Sequence, residues 1–201
     1  MDKSIYLIGA GGHGAVIKEI IELNNWKVDF FVDKDLSIQD YLGLPIRNNE
    51  EHIDENKSCI ISIGDNATRK RIVNQRDRVY INAIHQNAVV SPSAEIGQGN
   101  VIMAGACINA RATLGNHCII NTNSTVDHDC IIENFVHISP GASLGGNVHV
   151  GEGTHIGIGA SIKNGVKIGK WSIVGAGAAV INDVPDGVIV VGVPARFLKP
   201  V

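Results

Sequence analysis

A six-residue repeat constrains the fold of this 201-residue chain more than any other feature of its sequence. From residue 84 to residue 180, every sixth residue is Ile, Leu or Val, in one unbroken phase. The residue four places later is small throughout, never larger than Val or Asn. The seventeen aliphatic positions are Ile84, Val90, Ile96, Ile102, Ile108, Leu114, Ile120, Val126, Ile132, Ile138, Leu144, Val150, Ile156, Ile162, Ile168, Val174 and Val180.

This period predicts a parallel β-helix, in which three short strands form one coil and coils stack at about 4.8 Å. The 102 residues from Ile84 to Pro185 make nearly six coils of eighteen residues. Aromatic residues are only 4% of the chain, as expected of a narrow interior filled by aliphatic side chains. Several of the 23 glycines follow the aliphatic position, where we expect tight corners: Gly97, Gly115, Gly145, Gly151, Gly157, Gly169 and Gly175.

Charge and composition exclude several classes of protein. The net charge of −3 provides no basic surface for nucleic acid. No apolar run approaches the roughly 20 residues that a membrane span needs, and the N-terminus does not resemble a signal peptide. The four cysteines show no CxxC spacing, which predicts reduced thiols in a cytoplasmic protein. Cys118 and Cys130 fall on small-residue positions and are predicted to point inward.

The first 83 residues follow a different pattern. Apolar runs predict strands over residues 4–8, 28–32, 59–63 and 79–83. Helices are predicted from the glycine-rich turn to about residue 25 and from about residue 67 to 76. This alternation indicates a βαβ-type sheet of about four strands.

A glycine-rich turn, GAGGHG at residues 9–14, joins the first predicted strand to the first helix, and Asp33 follows nineteen positions after its last glycine. Backbone N–H groups at such a helix start bind phosphate, and the spacing by itself suggests NAD. About 80 residues provide scarcely one of the two halves of a dinucleotide fold, so a single nucleotide diphosphate, such as a nucleotide-sugar, fits better. The alternative is a turn that only packs strand against helix.

The chain resembles the sugar O-/N-acetyltransferase family of hexapeptide-repeat acyltransferases, through GAGGHG, the β-helix repeats and the GVPAR segment at residues 192–196. The resemblance implies an α/β Rossmann-like domain over residues 1–83 and an all-β, left-handed parallel β-helix over residues 84–185. Residues 186–201 form a C-terminal tail in this division. It also implies acetyl-CoA as co-substrate and a homotrimer with sites between subunits.

Family positions assign roles to single residues. The segment NTNSTVDHDC at residues 121–130 resembles the family's catalytic segment, so the resemblance implies that His128 is the general base and Asp129 its acidic neighbour. The amino-sugar enzyme compared has Glu where Asp129 stands. The acetyl-CoA-binding positions correspond to His137, Gly146, Ile158, Gly175 and Ala176. A histidine with an ordinary pKa near 6.5 can deprotonate a sugar amine at neutral pH.

The resemblance places nucleotide-sugar binding in the N-terminal domain. The matching positions are Gly11, Gly12, His13, Asp33, Lys34 and Gly64. Gly11 and His13 are expected to present N–H groups to phosphate, while Asp33 and Lys34 are expected to border the ribose or base pocket. Asp65, Asn66 and Arg69 are further polar candidates.

The predicted function is acetyl-CoA-dependent N-acetylation of a nucleotide-linked amino sugar, specifically a UDP-4-amino-4,6-dideoxy sugar, in bacterial surface glycan biosynthesis. O-acetylation of sialic acid or another sugar is the alternative, and a non-catalytic nucleotide-sugar-binding subunit is less favoured. His137 and His155 are one coil apart and are predicted to stack. With His117 or His149 they resemble the zinc site of β-helical carbonic anhydrases, but the spacing fits poorly and no metal is predicted.

Overall fold

The computed structural model describes residues 3–35, 37, 39–48 and 53–201. The N-terminal part is a six-stranded sheet in the order β3-β4-β2-β1-β5-β6. Its strands are parallel except for the β3–β4 hairpin. Their bounds are β1 Ser4–Ile8, β2 Lys27–Val32, β3 Asp40–Tyr41, β4 Leu44–Arg47, β5 Ser58–Ile61 and β6 Val79–Tyr80.

Two helices flank this sheet. Helix α1 (Gly12–Leu23) buries Ile17, Ile20 and Ile21 on one face, as the i, i+3, i+4 spacing of its apolar residues dictates. Helix α2 (Asn66–Val73) begins at Asp65, whose carboxylate accepts a hydrogen bond from the N–H of Thr68. Both helices end before the predicted residues 25 and 76. The expectation of about four strands was wrong, because the short β3–β4 hairpin is too brief to produce a periodic pattern.

The seventeen strands of the repeat are each two residues long, with the first residue pointing outward and the second inward. Fourteen of the seventeen aliphatic positions, from Ile102 to Val180, are at most 4% exposed. Burial of each such side chain stabilises the fold by roughly 1.5–3 kcal/mol. The strands are β7 Ala83–Ile84, β8 Val89–Val90, β9 Glu95–Ile96, β10 Val101–Ile102, β11 Cys107–Ile108, β12 Thr113–Leu114, β13 Ile119–Ile120, β14 Thr125–Val126, β15 Ile131–Ile132, β16 His137–Ile138, β17 Ser143–Leu144, β18 His149–Val150, β19 His155–Ile156, β20 Ser161–Ile162, β21 Lys167–Ile168, β22 Ile173–Val174 and β23 Ala179–Val180.

Every strand pairs in parallel with the strand eighteen residues away, so the solenoid is a three-sided prism. The first face contains β7, β10, β13, β16, β19 and β22; the second contains β8, β11, β14, β17, β20 and β23; the third contains β9, β12, β15, β18 and β21. The chain runs from the first face to the second to the third and back to the first. Each edge is named below by the two faces that it joins.

The positions that follow the aliphatic residues require glycine for a different reason from the one predicted. They do not adopt left-handed backbone angles; a Cβ on Gly97 would lie 2.7 Å from the carbonyl oxygen of Gly115 on the next coil. Glycine is therefore required there by the close approach of stacked coils. The left-handed corner positions lie two residues later, as at Gly99 (φ +70°).

Residues 186–201, expected to be a tail, carry two further strands. Strand β24 (Val188–Val191) pairs in parallel with β22 and extends the first face, and β25 (Arg196–Pro200) folds back antiparallel to β24. Among the residues that the structure describes, no helix is long and apolar enough to cross a membrane.

The N-terminal part packs on the first face of the prism. The outward residues Val101 and Ile119 are completely covered by the apolar cluster that includes Ile5 and Ile17. The side-chain amide of Asn24, at the end of α1, donates to the carbonyl oxygen of Ile84 at 2.8 Å. Helix α2 lies along the third–first edge, where the amide of Asn66 donates to two β-helix carbonyls. This arrangement leaves the second–third edge on the opposite side of the prism.

Candidate active site

His128 lies on the second–third edge, in the turn between β14 and β15. The carboxylate of Asp127 shapes this turn, because its Oδ1 accepts from the backbone N–H of His128 and from the Asn109 amide, both at 2.8 Å. The Asn109 contact, followed by that of the His128 N–H, holds the pKa of Asp127 below its usual value. The turn therefore presents the imidazole outward, and His128 is half exposed.

Asp129 contacts the imidazole directly. Its Oδ2 lies 2.7 Å from Nδ1 of His128, so the short aspartate side chain reaches the ring. Arg111, one coil below, pairs with the same carboxylate through Nε and Nη2 at 2.7 and 2.8 Å. Hydrogen bonds from Arg111 and then from His128 lower the pKa of Asp129 to about 2. Asp129 is thus an ionised acceptor, and Nδ1 of His128 carries a proton toward it.

Gly146, one coil above, packs against the other side of the ring. A Cβ at this glycine would lie 2.5 Å from Cε1 and 2.6 Å from Nε2 of His128, so only glycine leaves the ring in place. The described residues provide no hydrogen-bond partner for Nε2. In the neutral ring Nε2 therefore carries the lone pair, on a side chain that is half exposed and contacts both Asp129 and Gly146.

His137 occupies a different surface, the first face, beneath the N-terminal part. Its Nδ1 donates to the carbonyl oxygen of Gly64 at 3.3 Å, which leaves Nε2 to accept from the amide of Asn121 at 3.1 Å. The ring stacks on His155 at 4.7 Å between centroids, as predicted from the spacing. Burial, then the neighbouring His155 and Arg69, lower the pKa of His137 to about 3. The ring is therefore neutral and has both nitrogens engaged.

The candidate acetyl-CoA-binding residues do not converge within one chain. Gly146 lies with His128 on the second–third edge, whereas Ile158, Gly175 and Ala176 lie on the first–second edge. Ile158 is 62% exposed there, and Gly177 N–H donates to its carbonyl one coil above. The structure therefore separates the predicted set into two edges and one face.

The glycine-rich turn divides into two kinds of position. A Cβ on Gly9 would lie 2.6 Å from Ile63, and one on Gly14 would lie 2.6 Å from the carbonyl oxygen of Gly9, so these two glycines permit close packing. Gly11 and Gly12 have open space beside them, and Gly11 caps α1 without any side-chain hydrogen bond. The exposed Gly11 and Gly12 at the start of α1 suit a phosphate bound by backbone N–H groups at this point.

Asp33 holds the turn in shape rather than only bordering it. Its Oδ2 accepts from the N–H of Ala10 at 2.7 Å, and its Oδ1 accepts from the N–H of Asp35. Asp33 also lines a cavity of about 320 Å³ between the ends of β1 and β2 and one face of α2. The other polar lining residues are Lys34, Asn48, Thr68, Arg71, Gln75 and Arg78.

His13 and Gly64 both lie at the junction of the two parts, on either side of His137 in its contacts. The His13 ring lies 6.5 Å from that of His137. Its Nε2 is buried with no hydrogen-bond partner among the described residues, and burial lowers the pKa of His13 to about 4. Gly64 lies in a cavity of about 490 Å³ that also contains His137, His155 and Trp171. The first-turn histidine of α1 and the loop before α2 therefore both reach the first face of the β-helix.

Arg69, a polar candidate for binding, is instead a buried structural residue. It is 1% exposed and donates to four carbonyl oxygens, those of Ile63 and Gly64 in the N-terminal part and those of His117 and Phe135 in the β-helix. Burial lowers its pKa to about 10. Arg69 thus joins the two parts of the chain.

Sequence reasoning missed Arg111, which belongs to no recognised segment. The spacing of eighteen residues between Arg111 and Asp129 is a signal that would have paired them on adjacent coils. Cys118 and Cys130 are fully buried, as predicted, and burial raises the pKa of the Cys118 thiol to about 12. Within the described ranges, no three His, Cys, Asp or Glu side chains form a group of metal ligands.

An α/β domain with a phosphate-type turn, joined to a β-helix with an exposed histidine–carboxylate pair, defines an acyltransferase-like class of protein. Comparison with known families agrees. Residues 4–76 match the PglD N-terminal domain, and residues 147–182 match the bacterial transferase hexapeptide family of six repeats. UDP-N-acetylbacillosamine N-acetyltransferase of Bacillus subtilis (strain 168) is 41% identical over 113 residues, or 51% of this chain. That alignment spans 52% of the relative, about half its length.

Solved structures resemble the entire chain. The acetyltransferase domain of PglB from Neisseria gonorrhoeae FA1090 has a TM-score of 0.92 and 38% identity, covering 98% of this chain and 100% of that domain. PerB from Caulobacter crescentus, solved with CoA and GDP-perosamine, has a TM-score of 0.89 and 38% identity. The match covers 98% of this chain and 97% of PerB. The chain belongs to the hexapeptide-repeat sugar acetyltransferases. Its fold class is accordingly a small α/β domain followed by a left-handed parallel β-helix.

Proposed function

We propose that this protein transfers the acetyl group of acetyl-CoA to the amine of a nucleotide-linked amino sugar, with a UDP-4-amino-4,6-dideoxy sugar as the first candidate. The contact of 2.7 Å between His128 Nδ1 and Asp129 carries the proposal, because it leaves Nε2 as a free base on an exposed edge. The complex of PerB with CoA and GDP-perosamine and the complex of the PglB domain with acetyl coenzyme A support the two substrate classes.

In the proposed reaction, Nε2 of His128 removes a proton from the sugar amine as its nitrogen attacks the thioester carbonyl. Asp129 stabilises the imidazolium that forms. The tetrahedral intermediate collapses by breaking the bond from carbon to sulfur, and the departing thiolate takes the proton from Nε2. No covalent intermediate on the enzyme is needed. His137, His13 and Gly64 belong to the substrate-binding surfaces at the junction of the two domains.

The proposed division of labour follows the three ranges 1–83, 84–185 and 186–201. In it, Gly11, Gly12, His13, Asp33, Lys34 and Gly64 bind the nucleotide-sugar, and His137, Gly146, Ile158, Gly175 and Ala176 bind acetyl-CoA. The open space beside Gly11 and Gly12 and the cavity beside Asp33 and Lys34 support the first assignment.

A homotrimer with sites between subunits belongs to the same proposal. His128 is on the edge opposite the face that carries the N-terminal domain, and the acetyl-CoA candidates lie on two edges. A site that uses all of them therefore takes residues from adjacent copies of the chain. Light scattering is expected to give a mass three times the chain's 21.4 kDa; a monomer at assay concentration would contradict the proposal.

The activity is tested by following free CoA thiol with acetyl-CoA and a panel of acceptors. The panel contains UDP-, dTDP- and GDP-linked 4-amino sugars and free sialic acid. We expect acetylation of a nucleotide-linked amine, with the product confirmed by mass spectrometry. Activity only on sialic acid would favour O-acetylation, and nucleotide-sugar binding without turnover would indicate a non-catalytic subunit. Either outcome overturns the proposal.

A further inference from the structure

Arg111 completes the hydrogen bonding of Asp129 on the second–third edge. Its Nε donates to Oδ1 at 2.7 Å and its Nη2 to Oδ2 at 2.8 Å, so both carboxylate oxygens are engaged. Oδ2 also accepts from Nδ1 of His128 at 2.7 Å. The guanidinium, the carboxylate and the imidazole therefore form one chain of hydrogen bonds that ends at Nε2 of His128.

The backbone fixes this arrangement. Arg111, Asp129, Asn147 and Gly165 occupy the same corner on successive coils, with φ of 59°, 59°, 60° and 74°. The N–H of Asp129 donates to the carbonyl oxygen of Ala110, and the N–H of Asn147 donates to that of His128. The Cα of Arg111 is thus held directly below that of Asp129, and the pair does not depend on a chance meeting of two long side chains.

The fork of Arg111 controls the orientation of the carboxylate. An aspartate that accepts only from His128 can rotate about its side-chain torsions and lose the contact. Two parallel N–H donors hold the carboxylate plane, and Lys replaces them only in part because its ammonium is a point donor. A fixed Oδ2 in turn holds the Nδ1–H tautomer of His128, in which the lone pair of the neutral ring is on Nε2.

The positive charge of Arg111 opposes the function of His128 as a base, whereas the geometry of its hydrogen bonds supports it. This charge offsets part of the negative charge that Asp129 offers to a protonated His128. Arg111 is 65% exposed and Asp129 31%, so solvent screens this opposition. The geometric effect depends on the direction of the two N–H donors, and we expect it to be the larger of the two.

We propose that Arg111 is a positioning residue for acetyl transfer, which acts through Asp129 to hold His128 in its reactive tautomer and orientation. The inference rests on the proposed function of His128. Nothing in the motif-based assignment of the site includes this arginine.

The test is a double-mutant cycle on the purified full-length protein. Arg111→Gln is expected to lower kcat about tenfold and to leave KM within twofold, because positioning of a general base affects the chemical step. Arg111→Lys is expected to recover part of the loss. In an Asp129→Asn background, Arg111→Gln is expected to cause no further loss. Lys27→Gln, which removes an exposed cation paired with Asp29, is the matched control and is expected to keep wild-type kcat.

Two kinetic outcomes overturn the inference: a kcat of Arg111→Gln within twofold of wild type, or an equal loss of kcat in the wild-type and Asp129→Asn backgrounds. Failure of the proposed function is distinguishable, because it shows first as a wild-type protein without acetyl transfer. A measurement independent of activity then applies. Nitrogen-15 NMR of the His128 ring is expected to show the Nδ1–H form in wild type and a mixture of both tautomers in Arg111→Gln, and unchanged tautomers overturn the inference.

Discussion

Two groups of histidines occupy opposite sides of this β-helix and have opposite surroundings. His128, on the second–third edge, is half exposed and donates to a carboxylate. His13, His117 and His137, at the junction of the two domains, are enclosed around the buried Arg69, and burial lowers their pKa values to about 4, 4 and 3. The ring of His117 lies between Phe135 and Tyr80.

The comparison shows that residue type does not decide the role of a histidine here. A histidine that accepts and releases protons needs solvent or substrate at one nitrogen and a partner at the other, as His128 has. The junction histidines are held neutral by desolvation and by the nearby cation, so they serve as polar packing residues or neutral hydrogen-bonding groups. The predictions below test this contrast.

The largest expected effect is the loss of kcat when His128, on the second–third edge, is replaced. His128→Ala is expected to lower kcat by about 10³-fold, because a general base contributes about 10²–10⁴-fold. Since the side chain is half exposed, the free energy of unfolding is expected to change by no more than about 0.5 kcal/mol. Thiol release and urea denaturation measure the two quantities; normal kcat with saturating substrates would remove His128 from the mechanism.

His128→Ala also tests whether one active site combines His128 of one copy of the chain with the glycine-rich turn of another copy. Gly11→Val places a side chain in the open space of the glycine turn, and its extended backbone (φ −123°) accepts valine. Each variant alone is expected to be inactive. Co-expressed with distinct affinity tags and purified as mixed oligomers, they are expected to regain part of the wild-type activity, because some sites then combine an intact turn with an intact His128. No recovery in mixed oligomers would place both residues in one chain's site.

The next largest expected effect is a loss of folding stability when Arg69, at the junction of the two domains, is replaced. Arg69→Met leaves four carbonyl acceptors without their donor and is expected to lower the free energy of unfolding by about 3 kcal/mol, after partial compensation from removing a buried charge. Urea titration followed by tryptophan fluorescence reports the change, since one of the two tryptophans, Trp171, lies beside α2. The neighbouring exposed Arg71→Met is the control, with an expected change within about 0.5 kcal/mol. Equal stability of both variants would contradict a tethering role for Arg69.

The smallest effect is a dependence on pH. His117 has a pKa near 6.5 in the unfolded chain and about 4 in the folded protein, so the unfolded chain binds more protons below pH 6.5. Its contribution to stability is present above pH 6.5 and is lost as the pH falls toward 4. Between pH 7 and pH 5, the free energy of unfolding is expected to fall by about 2 kcal/mol more in the wild type than in His117→Phe, as measured by urea denaturation at the two pH values.

Phe135→Leu is the control for this measurement. It disturbs the ring stacked on His117 without removing a titratable group, so its destabilisation is expected to be similar at pH 7 and at pH 5. If the wild type and His117→Phe have parallel pH profiles, the junction histidine is not held neutral by burial, and the contrast with His128 fails.

Much of the fold was predictable because it depends on local, repeated spacing. The register of strands such as His137–Ile138 and His155–Ile156 follows directly from a period of eighteen residues per coil. The order of β1, α1 and β2 followed from apolar runs and a glycine-rich turn. The β3–β4 hairpin was missed because it is too short to show a period. The reason predicted for glycines such as Gly97 was wrong because the requirement depends on contact with the next coil, which the spacing does not show.

The candidate site was predictable only in part. Family positions indicated His128 and Asp129, and the structure brings them together at 2.7 Å. Arg111 was missed although it lies eighteen residues before Asp129, because the period predicts which positions stack but not that their side chains pair. Arg69 was a binding candidate by type and proved to be buried, because its environment comes from four carbonyls on two domains.

The sequence by itself determined that the six-residue repeat coils into a prism, which positions point inward, and where a phosphate-type turn begins, because each of these depends on spacing over a few residues. Only the tertiary structure decided which histidine is exposed and which are desolvated, and that the glycine turn and His128 lie on opposite sides of one chain. The physical reason is that burial and charge at these positions come from how the α/β domain packs on the first face, through contacts between residues 48 to 88 positions apart.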